Sequence, residues 1–151
     1  MIYENILNKL EGQWICQRSN YFIHKKKVDY NKQEINLKQI ENIYIREKED
    51  HLIYNYHLYN KKNYERTYYL FFQDKRSNIG ELHKITNDEI KYYRFKIYTH
   101  NCIKIESVKK NILYYEYIYL INPKFKITIC VLKENHKYLA ASFISEIKVS
   151  N

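Results

Sequence analysis

Glycine and proline are nearly absent from this chain, with two glycines and one proline in 151 residues. No glycine-rich loop able to cradle a phosphate can be written from so few. Tight β turns must then draw on Asn for their left-handed positions. Cysteine is also scarce. Cys16, Cys102 and Cys130 are an odd set without a C-x-x-C pair, which argues against a disulfide framework or a zinc knuckle and suits a reducing compartment. His24, His51, His57, His83, His100 and His136 are scattered without the spacing of a metal site or catalytic triad, so no metal is expected. No apolar run reaches the length of a membrane span. The opening residues Met1-Ile2-Tyr3-Glu4-Asn5 lack the look of a transit or secretion signal, so the expectation is a protein that works where it is made.

What remains is rich in tyrosine and in positive charge. The chain has 18 tyrosines, is 45% hydrophobic, and carries a formal net charge of +9. That length and content suit a single domain spanning 1–151, large enough to build a core without staples. The charge predicts attraction to polyanions or to an acidic partner.

Ile2, Ile6 and Leu10 form one helical stripe, with Gly12 at the stop position. From Gln13 to His24 the period changes to two, as in a half-buried strand. Glu34–Leu37 reads as a short strand, and 38–50 as either helix or strand. Further strands are expected at Leu52–Tyr59, Thr67–Phe72, Tyr92–Thr99, Cys102–Ser107, Ile112–Ile121, Lys126–Lys133 and Tyr138–Lys148. The fold class is therefore mainly β: an antiparallel, lipocalin-like (calycin) barrel with an N-terminal helix. Barrels of about eight or more strands can hold a small ligand.

Period two places Trp14, Cys16 and Arg18 on one face. An Arg turned into an apolar cup needs an anionic partner, which could be a ligand carboxylate or an internal Glu; a head reaching bulk water is the other option. On the last strand Ser142, Ile144, Glu146 and Lys148 share one face, and Ala141, Phe143, Ser145 and Ile147 the other. If the first set points inward, Glu146 is an internal hydrogen-bond acceptor. Otherwise it is an exposed polar face with Lys148 laid across Trp14.

Two segments, Gly12-Gln13-Trp14-Ile15-Cys16-Gln17-Arg18-Ser19 and Ala141-Ser142-Phe143-Ile144-Ser145-Glu146-Ile147-Lys148, together resemble the signatures of CpcS/CpeS-type phycobiliprotein lyases. Between them, Glu116, Tyr119 and Pro123 match a third family stretch. There Tyr117 and Lys126 stand where the family has Arg, and Lys148 replaces a final Arg. Lys keeps the charge but loses the planar fork.

The resemblance implies an enzyme that attaches a linear tetrapyrrole (bilin), phycocyanobilin or phycoerythrobilin, to a cysteine of a phycobiliprotein α or β subunit. The bilin is substrate, and no resident cofactor is expected. Glu146 and Arg18 are the implied catalytic residues. Arg18, Trp14, Ser142, Ser145, Glu146, Lys148, Lys126 and Tyr119 are the implied ligand-binding set. A homodimer or heterodimer, and a plastid or cyanobacterial cytoplasm, are the corresponding expectations for assembly and location. A bilin carrier without transfer activity is one alternative. A basic RNA-binding protein is another, although no RNP-like motif accompanies the tyrosines.

Overall fold

The computed structural model describes residues 4–39, 52–60, 65–74, 77–107, 109 and 111–150. A short helix α1 (Glu4–Asn8) leads into ten strands. These are β1 (Gly12–Phe22), β2 (Lys27–Gln39), β3 (Leu52–Asn60), β4 (Arg66–Gln73), β5 (Ile79–Ile85), β6 (Ile90–Thr99), β7 (Cys102–Ser107), β8 (Ile112–Asn122), β9 (Phe125–Glu134) and β10 (Lys137–Ser150). Each strand pairs antiparallel with its sequence neighbours, and β1 pairs with both β2 and β10, closing the barrel. Closure gives each described strand a partner on both sides, although residues 27–34 of β2 pair with β1 alone among the described pairings.

The expected strands fall within observed ones except the first, expected from Gln13 to His24, which ends at Phe22 where the turn through Lys26 begins, and two further differences stand out. β5 was not expected at all. β2 runs well beyond Glu34–Leu37, because its polar first half is held in register by β1 from Phe22↔Lys27 to Gln13↔Asn36. The ambiguous 38–50 segment ends β2 with Lys38 and Gln39, and its remainder, like Ile2, lies outside the described residues.

Turn chemistry follows the glycine shortage. Lys26, Asn135 and His136 adopt positive φ at hairpin turns, where glycine would be unstrained. Gly12 enters β1 at φ 145°. Gly80 is required by space: a Cβ there would lie 2.0 Å from the Phe72 carbonyl oxygen and 2.8 Å from the Phe95 ring.

The core fills the α1 end of the lumen. Ile6, Leu7 and Leu10 pack with Leu37, Phe71, Leu82, Phe95, Ile97, Ile103 and Ile105. Trp14, Cys16, Ile35 and Leu120 form an adjoining cluster. The Trp14 indole N–H donates to the Leu10 carbonyl at 3.0 Å, and Lys148 Nζ donates to the Lys9 carbonyl at 3.1 Å, tying the helix segment across that end.

Candidate functional site

The strand registers stack inward-facing residues in rows. The floor row runs Cys16, Glu146, Lys126, Leu120 across β1, β10, β9 and β8. Above it run Arg18, Ile144, Thr128 and Ile118, and above those Asn20, Ser142, Cys130 and Glu116. The lumen is thus plugged at the α1 end and polar towards the other.

The floor is a closed electrostatic unit. Lys126 Nζ lies 2.9 Å from Glu146 Oε2, and both residues are buried. The Cys16 thiol donates to Glu146 Oε1 at 3.1 Å. Lys126 Nζ sits 4.2 Å above the centre of the Trp14 ring and Lys148 Nζ 5.0 Å from it. Burial, with the nearby Lys148, pushes the Lys126 pKa down to about 8, against the pull of Cys16 and Glu116. Burial also pushes the Cys16 thiol up to about 11.

The upper lumen is different. Arg18 Nε donates to Asn20 Oδ1 at 2.7 Å, a Ser142 hydroxyl donates to the same oxygen at 2.6 Å, and an Arg18 terminal nitrogen lies 3.5 Å from Ser142 Oγ. Both hydrogen-bond partners of the guanidinium are neutral, so its orientation is fixed while its charge is not neutralised at contact. Asn31, directly across from Arg18 in the β1–β2 register, has a buried Oδ1 without a hydrogen-bond partner.

Opposite stands Glu116. The Cys130 thiol donates to its Oε2 at 3.7 Å, and the Tyr114 hydroxyl donates to Cys130 Sγ at 3.5 Å. Burial raises the Glu116 pKa, while Lys84, the Cys130 contact and Arg18 pull it back. Burial likewise raises Tyr69 and Tyr114, whose hydroxyls stay protonated, and pushes the Cys130 thiol to about 11. Lys84 Nζ sits 5.7 Å from the centre of the Tyr69 ring, and its pKa is lowered by burial and raised by Glu116. The Tyr93 and Tyr114 rings meet edge to face at 6.2 Å. Two cations, one carboxylate and three phenols therefore converge above the Lys126–Glu146 floor, polar groups of the kind that fix the orientation of a small ligand.

The structure sorts the sequence-derived residues. Arg18 and Ser142 lie together in the upper lumen. Trp14, Glu146, Lys126 and Lys148 lie together at the floor, engaged with one another or with the α1 segment. Tyr119 and Ser145 are corrections: Leu120 and Glu146 beside them are buried inside, so both face the outer surface, where Tyr119 stacks on Tyr117 at 6.2 Å. Glu116, Lys84, Tyr69, Tyr93, Tyr114, Cys130, Asn20 and Asn31 are lumen residues missing from the expected set. The signal for Glu116 was present: a carboxylate alternating with Tyr114 and Leu120 in a strand otherwise without charge.

A second depression, of about 630 Å³, lies against β4–β7 and is lined by Arg94, Lys96, Lys104, Glu81 and Glu106. Those charged residues alternate away from the lumen, and Lys104 pairs with Glu106 at 3.5 Å. It lies on the other side of the barrel wall from the convergent polar groups described above. Among the described residues no cluster of ligating side chains could hold a metal.

Comparison with known proteins agrees with this architecture. No protein-family model matches the chain. A curated protein from Gracilaria tenuistipitata var. liui, described as a chromophore lyase CpcS/CpeS homolog, is 62% identical over all 151 residues and the whole of both chains. The chain belongs to the CpcS/CpeS chromophore lyase family. The S-type phycobiliprotein lyase CPES from Guillardia theta has the same fold, with a TM-score of 0.74 at 15% identity, covering all of this chain and 94% of the other. A DUF3598-family protein of unknown function from Nostoc punctiforme aligns with a TM-score of 0.62 at 12% identity, over 95% of this chain and 49% of its own. The fold of this CpcS/CpeS member is the expected mainly β barrel, drawn with ten strands and a minor N-terminal helix.

Proposed function

We propose that this chromophore lyase holds a free bilin in the upper lumen and presents it to a cysteine of a phycobiliprotein subunit. The observation that carries the reading is Arg18, an inward guanidinium positioned by the neutral groups Asn20 and Ser142. A propionate fits that fork. Lys84 is the second cation facing the same space, and the unpartnered Asn31 oxygen is an acceptor for a pyrrole N–H.

Glu116 replaces Glu146 as the carboxylate placed to act on the ligand, because Glu146 is committed to Lys126 and Cys16. A carboxylate beside the pyrroles stabilises the protonated, cationic bilin and so makes the ring-A ethylidene more electrophilic. The acceptor thiol then adds across that double bond. A C–S bond forms, the C=C π pair moves into the conjugated system, and the thiol proton ends on the bilin; nothing is oxidised and nothing leaves. Catalysis is positioning and electrostatics.

The nucleophile belongs to the acceptor. Cys16 and Cys130, the two buried thiols of the lumen, are each pushed to about 11 by burial and remain protonated at neutral pH. The net positive charge steers an acidic acceptor subunit. The Gracilaria relative supports a plastid location.

Arg18→Ala tests the clamp. Loss of one charge-assisted contact weakens free bilin binding roughly 10- to 100-fold, while the bilin dimethyl ester binds wild type and variant alike. Equal affinity of both proteins for the free acid sinks this role for Arg18.

A further inference from the structure

Three neighbouring turns at the open end of the lumen are basic. His24-Lys25-Lys26-Lys27 joins β1 to β2, Asn135-His136-Lys137 joins β9 to β10, and Lys109 stands between β7 and β8. Two backbone hydrogen bonds make them one arc: the Ile23 N–H donates to the Leu139 carbonyl at 3.0 Å, and the Asn135 N–H to the Asn111 carbonyl at 3.2 Å. Lys25, Lys26, Lys109 and Lys137 are exposed and make no ion pair among the described residues. The acids on this side are Glu134 and Asp29, the latter paired with Lys27 at 3.6 Å. Phe22, Ile112 and Tyr138, at the ends of the strands that these turns join, are exposed as well. The next turn round the rim, between β5 and β6, carries Asp88 and Glu89, and Lys91 beside it pairs with Glu89 at 3.3 Å. The mouth of the barrel therefore has a basic side and an acidic turn next to it.

We infer that this basic arc docks the acceptor subunit through an acidic patch beside its target cysteine. The inference rests on the bilin reading and deepens it. The α1 segment and the core beneath it close one end of the barrel, so a thiol reaches a bilin in the upper lumen through the opposite mouth. The acceptor must then touch the rim, and the rim selects what touches it. Unpaired ammonium groups beside exposed apolar side chains match a protein face on which carboxylates surround a small apolar centre. The same patch is repelled by Asp88 and Glu89, so the acceptor meets the mouth in one rotational setting. That setting fixes where its cysteine stands over the bilin. Net charge alone gives attraction without orientation. Single-stranded RNA, charged along its whole length, meets the acidic turn next to the lysines and fits this rim less well.

Association of the full chain, with and without bilin, with apo-phycobiliprotein subunits tests this by stopped flow at low salt. Lys25→Glu/Lys26→Glu/Lys137→Glu should slow association roughly 10- to 100-fold and flatten its salt dependence. Free bilin should bind this variant as it binds wild type. The control Lys9→Glu/Lys38→Glu/Lys124→Glu makes the same change of charge on exposed residues at the plugged end and should associate at close to the wild-type rate. Should the first triple variant fail to fold by far-UV circular dichroism, Lys25→Gln/Lys137→Gln takes its place. Equal slowing in both triple variants overturns the inference, because net charge alone then steers. A first triple variant as fast as wild type overturns it too, because the acceptor then docks elsewhere. So does a wild type that ignores the acceptor; if it binds single-stranded RNA through these lysines, the arc belongs to nucleic acid. Association is read apart from transfer. Docking that depends on the arc, without transfer by wild type, sinks the lyase reading and leaves the docking surface standing.

Discussion

Cys16 and Glu146, 130 residues apart in the chain, meet inside the barrel floor with the thiol donating to the carboxylate at 3.1 Å. The β1–β10 register that closes the barrel brings them opposite one another. The same carboxylate ion-pairs with Lys126, so three residues from three strands share one buried polar unit under the ligand site.

Glu146→Ala should therefore destabilise the protein strongly. It strands the Lys126 ammonium in the lumen, at a cost on the order of 3–5 kcal/mol. The double variant Glu146→Leu/Lys126→Met removes both charges and should recover most of that loss. Urea denaturation midpoints of the three proteins decide it. A single variant as stable as wild type would mean that the pair does not hold the floor.

Gly80→Ala is the second prediction. The added methyl has no room beside the Phe72 carbonyl and the Phe95 ring, so β4 and β6 must both move. A loss of roughly 1–3 kcal/mol or more is expected, read as a lower thermal midpoint. An unchanged midpoint would show that β5 does not sit this close to its neighbours.

What the sequence disclosed depended on how many elements a feature needs. Alternation along a single strand was enough to group Trp14 with Arg18 on one face and Ser142 with Glu146 on one face, while which face of the last strand points inward stayed open. It also held the information that Tyr119 and Ser145 face out, but fixing the parity required knowing that Leu120 and Glu146 are buried. β5 escaped notice because Ile-Gly-Glu-Leu-His-Lys-Ile mixes weak strand formers with charge, and its partners β4 and β6 impose the strand. The Glu116 cluster draws on β1, β4, β5, β6, β8 and β9, so it exists only after closure. Whether Lys148 clamps a ligand or braces Trp14 was likewise open until the depth of the floor row was known.

The buried thiols predict a pH dependence. Cys16 and Cys130 rise from 9.0 to about 11 in the folded chain. A raised folded pKa contributes stability that is whole below pH 9 and is lost as the pH climbs to about 11, since the unfolded thiols ionise first. The effect is on the order of 2 kcal/mol per thiol. Wild type should therefore lose more stability across that interval than Cys16→Ala/Cys130→Ala. Parallel losses in the two proteins would refute the assignment. Alkylation near neutral pH should also modify the partly exposed Cys102 first.

The most direct measurement of the central claim is chromophore transfer. Purified protein is mixed with phycocyanobilin or phycoerythrobilin, the visible spectrum is recorded, apo-phycobiliprotein subunits are added, and the mixture is denatured in acid urea. The account predicts a spectral shift on mixing and bilin that stays with the acceptor subunit after denaturation, faster than in a control without this protein. Bilin that is bound but never retained by the acceptor above the control level would contradict it and leave a carrier in place of a lyase.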